Sequence, residues 1–437
     1  MFRRTSLPAI RRSLRSATSA AVVISIGMLI EATSVTADTW TQWRGSDGNN
    51  HAAAGTEAPL KWNFTTGDGI AWKTAIPGRG HSTPLVLDEG IFLTTAEADK
   101  QTQSLIKFDR QSGRIVNQWV LHRGTLPADI HNHNSYASPT PAFDGEHLFV
   151  TFHTDDAIWL SKVTTSGNIV WQRRVAEFKP RLFQFGYGAS PLVEDGLVIV
   201  AAEYDGPDSG LYGLDCRTGK QVWKVSRPSN LNFASPIAAT ITGQRQILLA
   251  GAGMFAAYDS LTGKVLWSID TTTEAICGTA VWDDRRVIVS GGNPVSGTWC
   301  VSGDGSKAEL WSNGVKCYEQ SLLAISNYVF AVADTGVMYC WRTVDGKEMW
   351  KRRLFGGGIS ASPTLVGNHI YIASEAGEVF VIKASPDRFE PIAENQTGDS
   401  IFATPVAVDG RLYLRTGVGT GRDRQEYLVA AGRVSQN

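Results

Sequence analysis

Residues 130–141 read IHNHNSYASPTP. His131 and His133 stand one residue apart, and His122 lies nine residues upstream. Imidazoles so spaced serve a metal site, a proton-transfer site or a polar loop, and the company they keep decides which. Along an extended strand a His-x-His pair points both rings to one side. That supplies two ligands, whereas a zinc-type site takes three or four. His81 is the candidate third ligand. With no fourth in view, no metal site is assigned, and hydrogen-bonded loop histidines are expected. No G-x-S-x-G occurs, so the nucleophile elbow of a serine hydrolase is missing. Glu274 and Glu319 form the nearest thing to the paired carboxylates a glycosidase needs. The five cysteines (216, 277, 300, 317 and 340) form neither a CxxC nor a CxxCH, which argues against a thiolate cluster or covalent c-type haem. Cys277 and Cys317 are the candidate disulfide pair.

The first 37 residues read as a leader. MFRRTSLPAIRRSLRS carries five arginines and no acid, AVVISIGMLI is apolar, and SVTA ends at Ala37 with small residues suited to cleavage. Export is therefore expected, to the periplasm or cell envelope. No cysteine precedes Cys216, so no lipid anchor is expected, and the apolar run is short for a membrane span. Removing five arginines and Glu31 takes the net charge from −1 to −5. That balance lacks the basic footprint of a nucleic-acid binder.

Repetition sets the architecture. A small hydroxyl or small-residue step, usually before proline, recurs at Pro84, Pro139, Pro191, Pro236, Ala280, Leu322, Pro363 and Pro405, with spacings of 55, 52, 45, 44, 42, 41 and 42. A second mark runs out of phase: a turn with Gly, then a tryptophan, at Trp119, Trp171, Trp223, Trp267, Trp311 and Trp350. Between the marks lie strand-length apolar runs such as GLVIVAAEY and HIYIASE. Four strands per unit at 40–50 residues predict an all-β, eight-bladed β-propeller of antiparallel blades. Trp72 lies on a fourth strand with no preceding three, and the C-terminus supplies three strands with no fourth. Together they close the ring. The expected division is a leader over 1–37, an N-terminal arm over 38–71 and the propeller over 72–434. The tryptophans are expected to pack between blades. Phe389 is expected in the seventh unit, which lacks one.

The segments running from each tryptophan strand to the next blade share one face at the channel mouth. Two of them, on neighbouring blades, are long. The first, 120–137, holds His122, His131, His133 and Tyr136. The second, 172–189, holds Arg173, Arg174, Lys179, Arg181, Phe183, Phe185 and Tyr187. Loops on a rigid scaffold carry binding, and aromatics beside arginine favour interaction hot spots. The other segments add Arg79, His81, Asn232, Phe233, Glu274, Cys277, Tyr318, Glu319 and Phe402. The expected binding set is Arg79, His81, His131, His133, Tyr136, Arg173, Arg174, Arg181, Phe185, Tyr187, Glu274 and Glu319, with no catalytic residue assigned.

LDCRTGKQVW (214–223) and YDSLTGKVLW (258–267) resemble the tryptophan-docking repeats of the quinoprotein (PQQ) propeller superfamily. The closest in size is the family of eight-bladed PQQ-like propellers typified by the outer-membrane assembly lipoprotein BamB. WTQWRGSDGNN (40–50) looks like the start of exported PQQ-like propellers of planctomycete bacteria. The quinoprotein dehydrogenases of that superfamily carry vicinal cysteines and a Ca²⁺ held by Glu and Asn beside a catalytic Asp. No two cysteines are adjacent here, so the resemblance implies a binding module without cofactor. The expected protein is a monomeric, non-enzymatic scaffold contacting a protein or glycan of the envelope. The alternative is a PQQ–calcium or metal-dependent oxidoreductase acting at the channel mouth.

Overall fold

A computed structural model describes residues 38–433, apart from Thr271, Lys307 and the side chain of Arg422. The expected leader therefore lies outside the described residues. Eight four-stranded antiparallel sheets form the expected eight-bladed β-propeller. Among the described residues, helix is confined to two short 3-10 turns, Ala98–Lys100 and Gly421–Asp423. No helix among the described residues is long and apolar enough to cross a membrane. Blade 8 is composite, as expected: strand Ile70–Ile76 pairs antiparallel with Gln425–Ala431, so the chain's two ends share one sheet and leave no open edge in the ring.

The blade-start residues explain why this sequence makes a ring. At six of the eight blade junctions the backbone N–H of this residue reaches the hydroxyl of the next blade's residue. Thr83 donates to Thr140 Oγ1 (3.0 Å), Thr140 to Ser190 Oγ (3.0 Å) and Ser190 to Ser235 Oγ (2.9 Å). Thr279 donates to Ser321 Oγ (2.9 Å), Ser321 to Ser362 Oγ (2.9 Å) and Ser362 to Thr404 Oγ1 (3.1 Å). At those six junctions one short side chain thus satisfies a buried backbone donor of its neighbour. The ring also corrects a register. In blade 2 the member is Thr140, before Pro141 and strand Ala142–Phe143, not Ser138 before Pro139. Ser138 instead folds the histidine loop, its Oγ donating to Asn134 Oδ1 at 2.6 Å.

The tryptophans lock the outside of the ring. The indole N–H of Trp171, Trp223, Trp311 and Trp350 donates to a backbone carbonyl of the following blade, at 2.8–3.2 Å. Each ring also lies against that blade's turn. A Cβ at Gly167 would stand 2.0 Å from the Trp119 indole, so that turn requires glycine both for space and for its φ of +90°. In blade 7 the tryptophan register is held by Ala393, opposite Val381. Phe389 does not substitute there; it sits in the turn and packs on Trp350. The gap between blades 7 and 8 is filled from the arm by Trp62, which packs with Val381, Leu414 and Val429 and donates to Thr397 Oγ1 at 2.8 Å.

The arm is the part of the fold with no repeat signal. It threads the channel along the innermost strands. Trp40 bridges Val86 of blade 1, Thr41 O accepts from Phe143 of blade 2, and Trp43 Nε1 donates to Thr279 Oγ1 of blade 5. Arg44 reaches Leu322 O of blade 6, and Asn50 reaches Pro363 O of blade 7. The WTQWRGSDGNN segment is therefore a plug, coiled tightly enough that a Cβ at Gly48 would meet Ile237 at 2.9 Å. The five cysteines carry free thiols, so Cys277 and Cys317 are not bridged. Cys277 is half-buried at the channel, and Cys317 is buried in the core.

Candidate functional site

A cavity of about 190 Å³ opens at the channel mouth. Trp43 of the arm and the hydroxyl ring (Thr83, Thr140, Ser190, Ser235, Thr404) form its lower wall, and His131, His133, Phe185, Phe402 and Glu319 form its upper wall. The strand Ile115–Arg123 ends at the first long loop. Asn134 Nδ2 donates to Phe185 O (2.7 Å) and ties that loop to the second one. His131 meets Phe185 edge-on, with ring centroids 5.1 Å apart, and His133 at 5.2 Å.

Glu319 is the residue that gives these histidines a chemical context. His133 Nδ1 lies 3.1 Å from Glu319 Oε1, and His133 Nε2 lies 3.8 Å from Glu375 Oε2. Ser360 Oγ stands 2.6 Å from Glu319 Oε2 and 2.7 Å from Glu375 Oε1. Ligand atoms of His131, His133 and Glu319 all lie within 4.8 Å of one another. His81 is not the third member. It stacks on Phe402 (4.5 Å between centroids), and its Nε2 is buried without a partner. Burial, then the nearby Arg79, Arg415 and Arg424, hold its pKa well below the ordinary value, so it stays neutral.

The expected set thus divides. His81, His131, His133, Phe185 and Glu319 come together, and Arg79 stands at the edge, donating to Asn132 O (3.3 Å). Arg173 and Arg174 lie on the outermost strand of blade 2, Ile169–Glu177, which continues past its tryptophan instead of entering the loop. Arg173 lies over Trp171 and binds Thr218 O of blade 3, on the flank of the ring. His122 likewise ends a strand, against Phe152 and Trp159. Arg181 is occupied with Asp205 O at the loop's outer side. Tyr136 packs partly into the blade 1–2 core, and Tyr187 is buried, donating to Ala201 O. Glu274 is exposed and does not line the cavity. Sequence reasoning missed Trp43, Ser360 and Glu375. Glu375 comes from the hairpin between the second and third strands of blade 7, a second set of turns facing the mouth.

His153 pins the foot of the second loop, its Nε2 lying 3.0 Å from Phe178 O. Burial lowers its pKa to about 4. The unfolded chain takes up this proton below about 6.5, while the folded chain resists until about 4. Stability is therefore lost as pH falls through that window, by about 2 kcal/mol from this group between pH 7 and 5. Urea unfolding of His153→Gln, whose amide can still donate to Phe178 O, is expected to lose that share of the pH slope. An unchanged slope would contradict the assignment.

The family model described as "Outer membrane protein assembly factor BamB" matches residues 31–181, 130–352 and 300–388. An outer membrane protein assembly factor BamB of Bordetella pertussis is 21% identical over 367 residues, 80% of this chain and 85% of that protein. The Yersinia pestis protein of the same name is 25% identical over 225 residues, so the chain spans about half the length of that relative (51%). A polyvinylalcohol dehydrogenase of a Pseudomonas species is 27% identical over 138 residues, 29% of this chain and 21% of that protein. Among solved structures, BamB from Moraxella catarrhalis superposes with a TM-score of 0.59 at 14% identity, covering 83% of this chain and 99% of that one. A europium-containing methanol dehydrogenase gives 0.64 at 10% identity, covering 90% and 98%. At these identities the structural likeness establishes the propeller alone.

Proposed function

The chain belongs to the family described as outer membrane protein assembly factor BamB, and from that premise we propose that it is an exported, non-enzymatic propeller that binds a protein partner of the cell envelope on its channel face. One observation carries the reading. The second long loop raises Leu182 (75% exposed) and Phe183 (49% exposed) beside the cavity, with Phe183 stacked on Phe185 at 5.3 Å. Large apolar side chains held in solvent by a fixed loop are what a protein interface uses as anchors. The loop's foot is packed: Phe178 meets Tyr187 edge to face and lies tilted against Tyr204 beneath it.

The lining also counts against a quinone. PQQ is a tricarboxylate, and a pocket for it needs cations. No Lys or Arg is among the residues lining the cavity, while Glu319 lines it with Glu375 directly behind. Trp43 of the arm lines the same cavity, its Nε1 donating to Thr279 Oγ1. The residues present do not fit the group, and no redox step is derived from it.

A photoreactive phenylalanine analogue placed at Phe183 tests the binding reading in the source envelope. It is expected to give one discrete protein adduct that weakens on Phe185→Ala and is missing from Leu261, an exposed position on a blade 4 turn. Equal labelling at both positions, or none at Phe183, would overturn it.

A further inference from the structure

We infer that His131, His133 and Glu319 form a binding site for a divalent transition metal of the zinc class, with Glu375 as the positioning residue for His133. Two independent features lead there. The first is geometric: three ligand atoms from two blades lie within 4.8 Å of one another at a cavity wall. Bonds of about 2.0–2.2 Å put tetrahedral ligand atoms about 3.3 Å apart. Glu319 Oε1 and His133 Nδ1, at 3.1 Å, already meet that spacing. His131 is exposed on its loop and closes the remainder by rotating its ring.

The second feature is a shortage of positive charge. Ser360 Oγ contacts one carboxylate at 2.6 Å and another at 2.7 Å, yet it has one proton to donate. Two carboxylates are thus drawn onto one hydroxyl with no lysine or arginine among the cavity's lining residues. A cation between His133 and Glu319 balances them. Imidazole with carboxylate suits zinc, cobalt, nickel, manganese or iron, whereas calcium and magnesium take oxygen alone.

The second carboxylate has its own place in this scheme. When His133 Nδ1 binds the metal, Nε2 carries the proton and faces Glu375 Oε2, now 3.8 Å away. Carboxylates so placed fix the tautomer and raise the basicity of a ligating imidazole. Three protein ligands leave a fourth position open toward the cavity, available to water or to a ligand's donor atom.

The inference does not depend on the partner reading, because metal content is measured on the purified chain alone. The chain stripped with chelator is titrated with Co²⁺ and Zn²⁺ and followed by visible absorption and elemental analysis. The expected result is one metal per chain with the visible bands of four-coordinate Co²⁺. Glu375→Gln is expected to weaken binding roughly 10- to 100-fold, and His131→Ala at least as much. Unfolding midpoints in chelator check that each variant is folded. Failure of the folded wild-type chain to take up stoichiometric metal would overturn the site. Uptake unchanged in His131→Ala and His133→Ala would overturn it equally.

Discussion

Glu203→Ala is expected to destabilise the protein by about 3–5 kcal/mol, because it strands a buried guanidinium. Arg227 and Glu203 are almost wholly buried, with Nε to Oε1 at 2.5 Å. Arg227 also donates to Tyr258 Oη and to Gly251 O, and Glu203 Oε2 accepts from Asn232 Nδ2 at 2.6 Å. Each of the three guanidinium nitrogens has an acceptor, which is the condition under which a buried ion pair survives. The double variant Glu203→Leu with Arg227→Met is expected to recover much of the loss, since an apolar pair has no charge to desolvate. The network matters to the mouth of the channel. Asn232 Oδ1 accepts from Ile276 N, and Phe233 N donates to Ile276 O, so it positions the segment ending at Cys277. Urea unfolding of the two variants is the check. A loss below about 1 kcal/mol in the single variant, the scale of a surface change, would contradict this account.

Arg44→Ala is expected to cost about 4 kcal/mol and to loosen the plug. The guanidinium is fully buried, with Nε donating to Gly48 O (3.0 Å) and Nη2 to Leu322 O (3.1 Å). Burial, partly offset by Asp47, lowers its pKa to about 10, so it stays charged at neutral pH. Charge-assisted bonds contribute about 1.5–3 kcal/mol each, and their loss leaves buried carbonyls unmatched. Arg44 is one of two links from the arm to blade 6, the other being His51 Nε2, 2.8 Å from Ala324 O, so hydrogen exchange over residues 40–50 is expected to rise with the loss of stability. Unchanged exchange in the variant would show that the arm is held without it.

What was legible in the sequence is what repeats. The tryptophans and blade-start hydroxyls each act on the neighbouring blade, so one short motif recurs with one physical job, and the closure by Trp72's strand followed from counting. Failures came where a local pattern had a competitor. Ser138-Pro139 imitates a blade start two residues ahead of the true one, because its loop needed a serine to bind Asn134. Arg173 and Arg174 follow a tryptophan and resemble loop residues, but strand pairing with Trp159 and Leu160 carries on through them. Trp62 fills a missing blade tryptophan from outside the repeat. At the site, His131, His133, Phe185 and Glu319 were legible one by one as channel-face loop residues, but their pairing across the ring was not. His133 and Glu319 are 186 residues apart and meet only because the ring closes, while Ser360 and Glu375 read as ordinary loop residues.

A channel mouth that takes a protein partner has no place for a quinone. Titrating the purified chain with PQQ in the presence of Ca²⁺, while recording the visible spectrum and dye-linked alcohol oxidation, tests this most directly. The predicted result is no saturable uptake and no turnover, with the indole emission that includes plug residue Trp43 unchanged. Stoichiometric quinone uptake with turnover would contradict it.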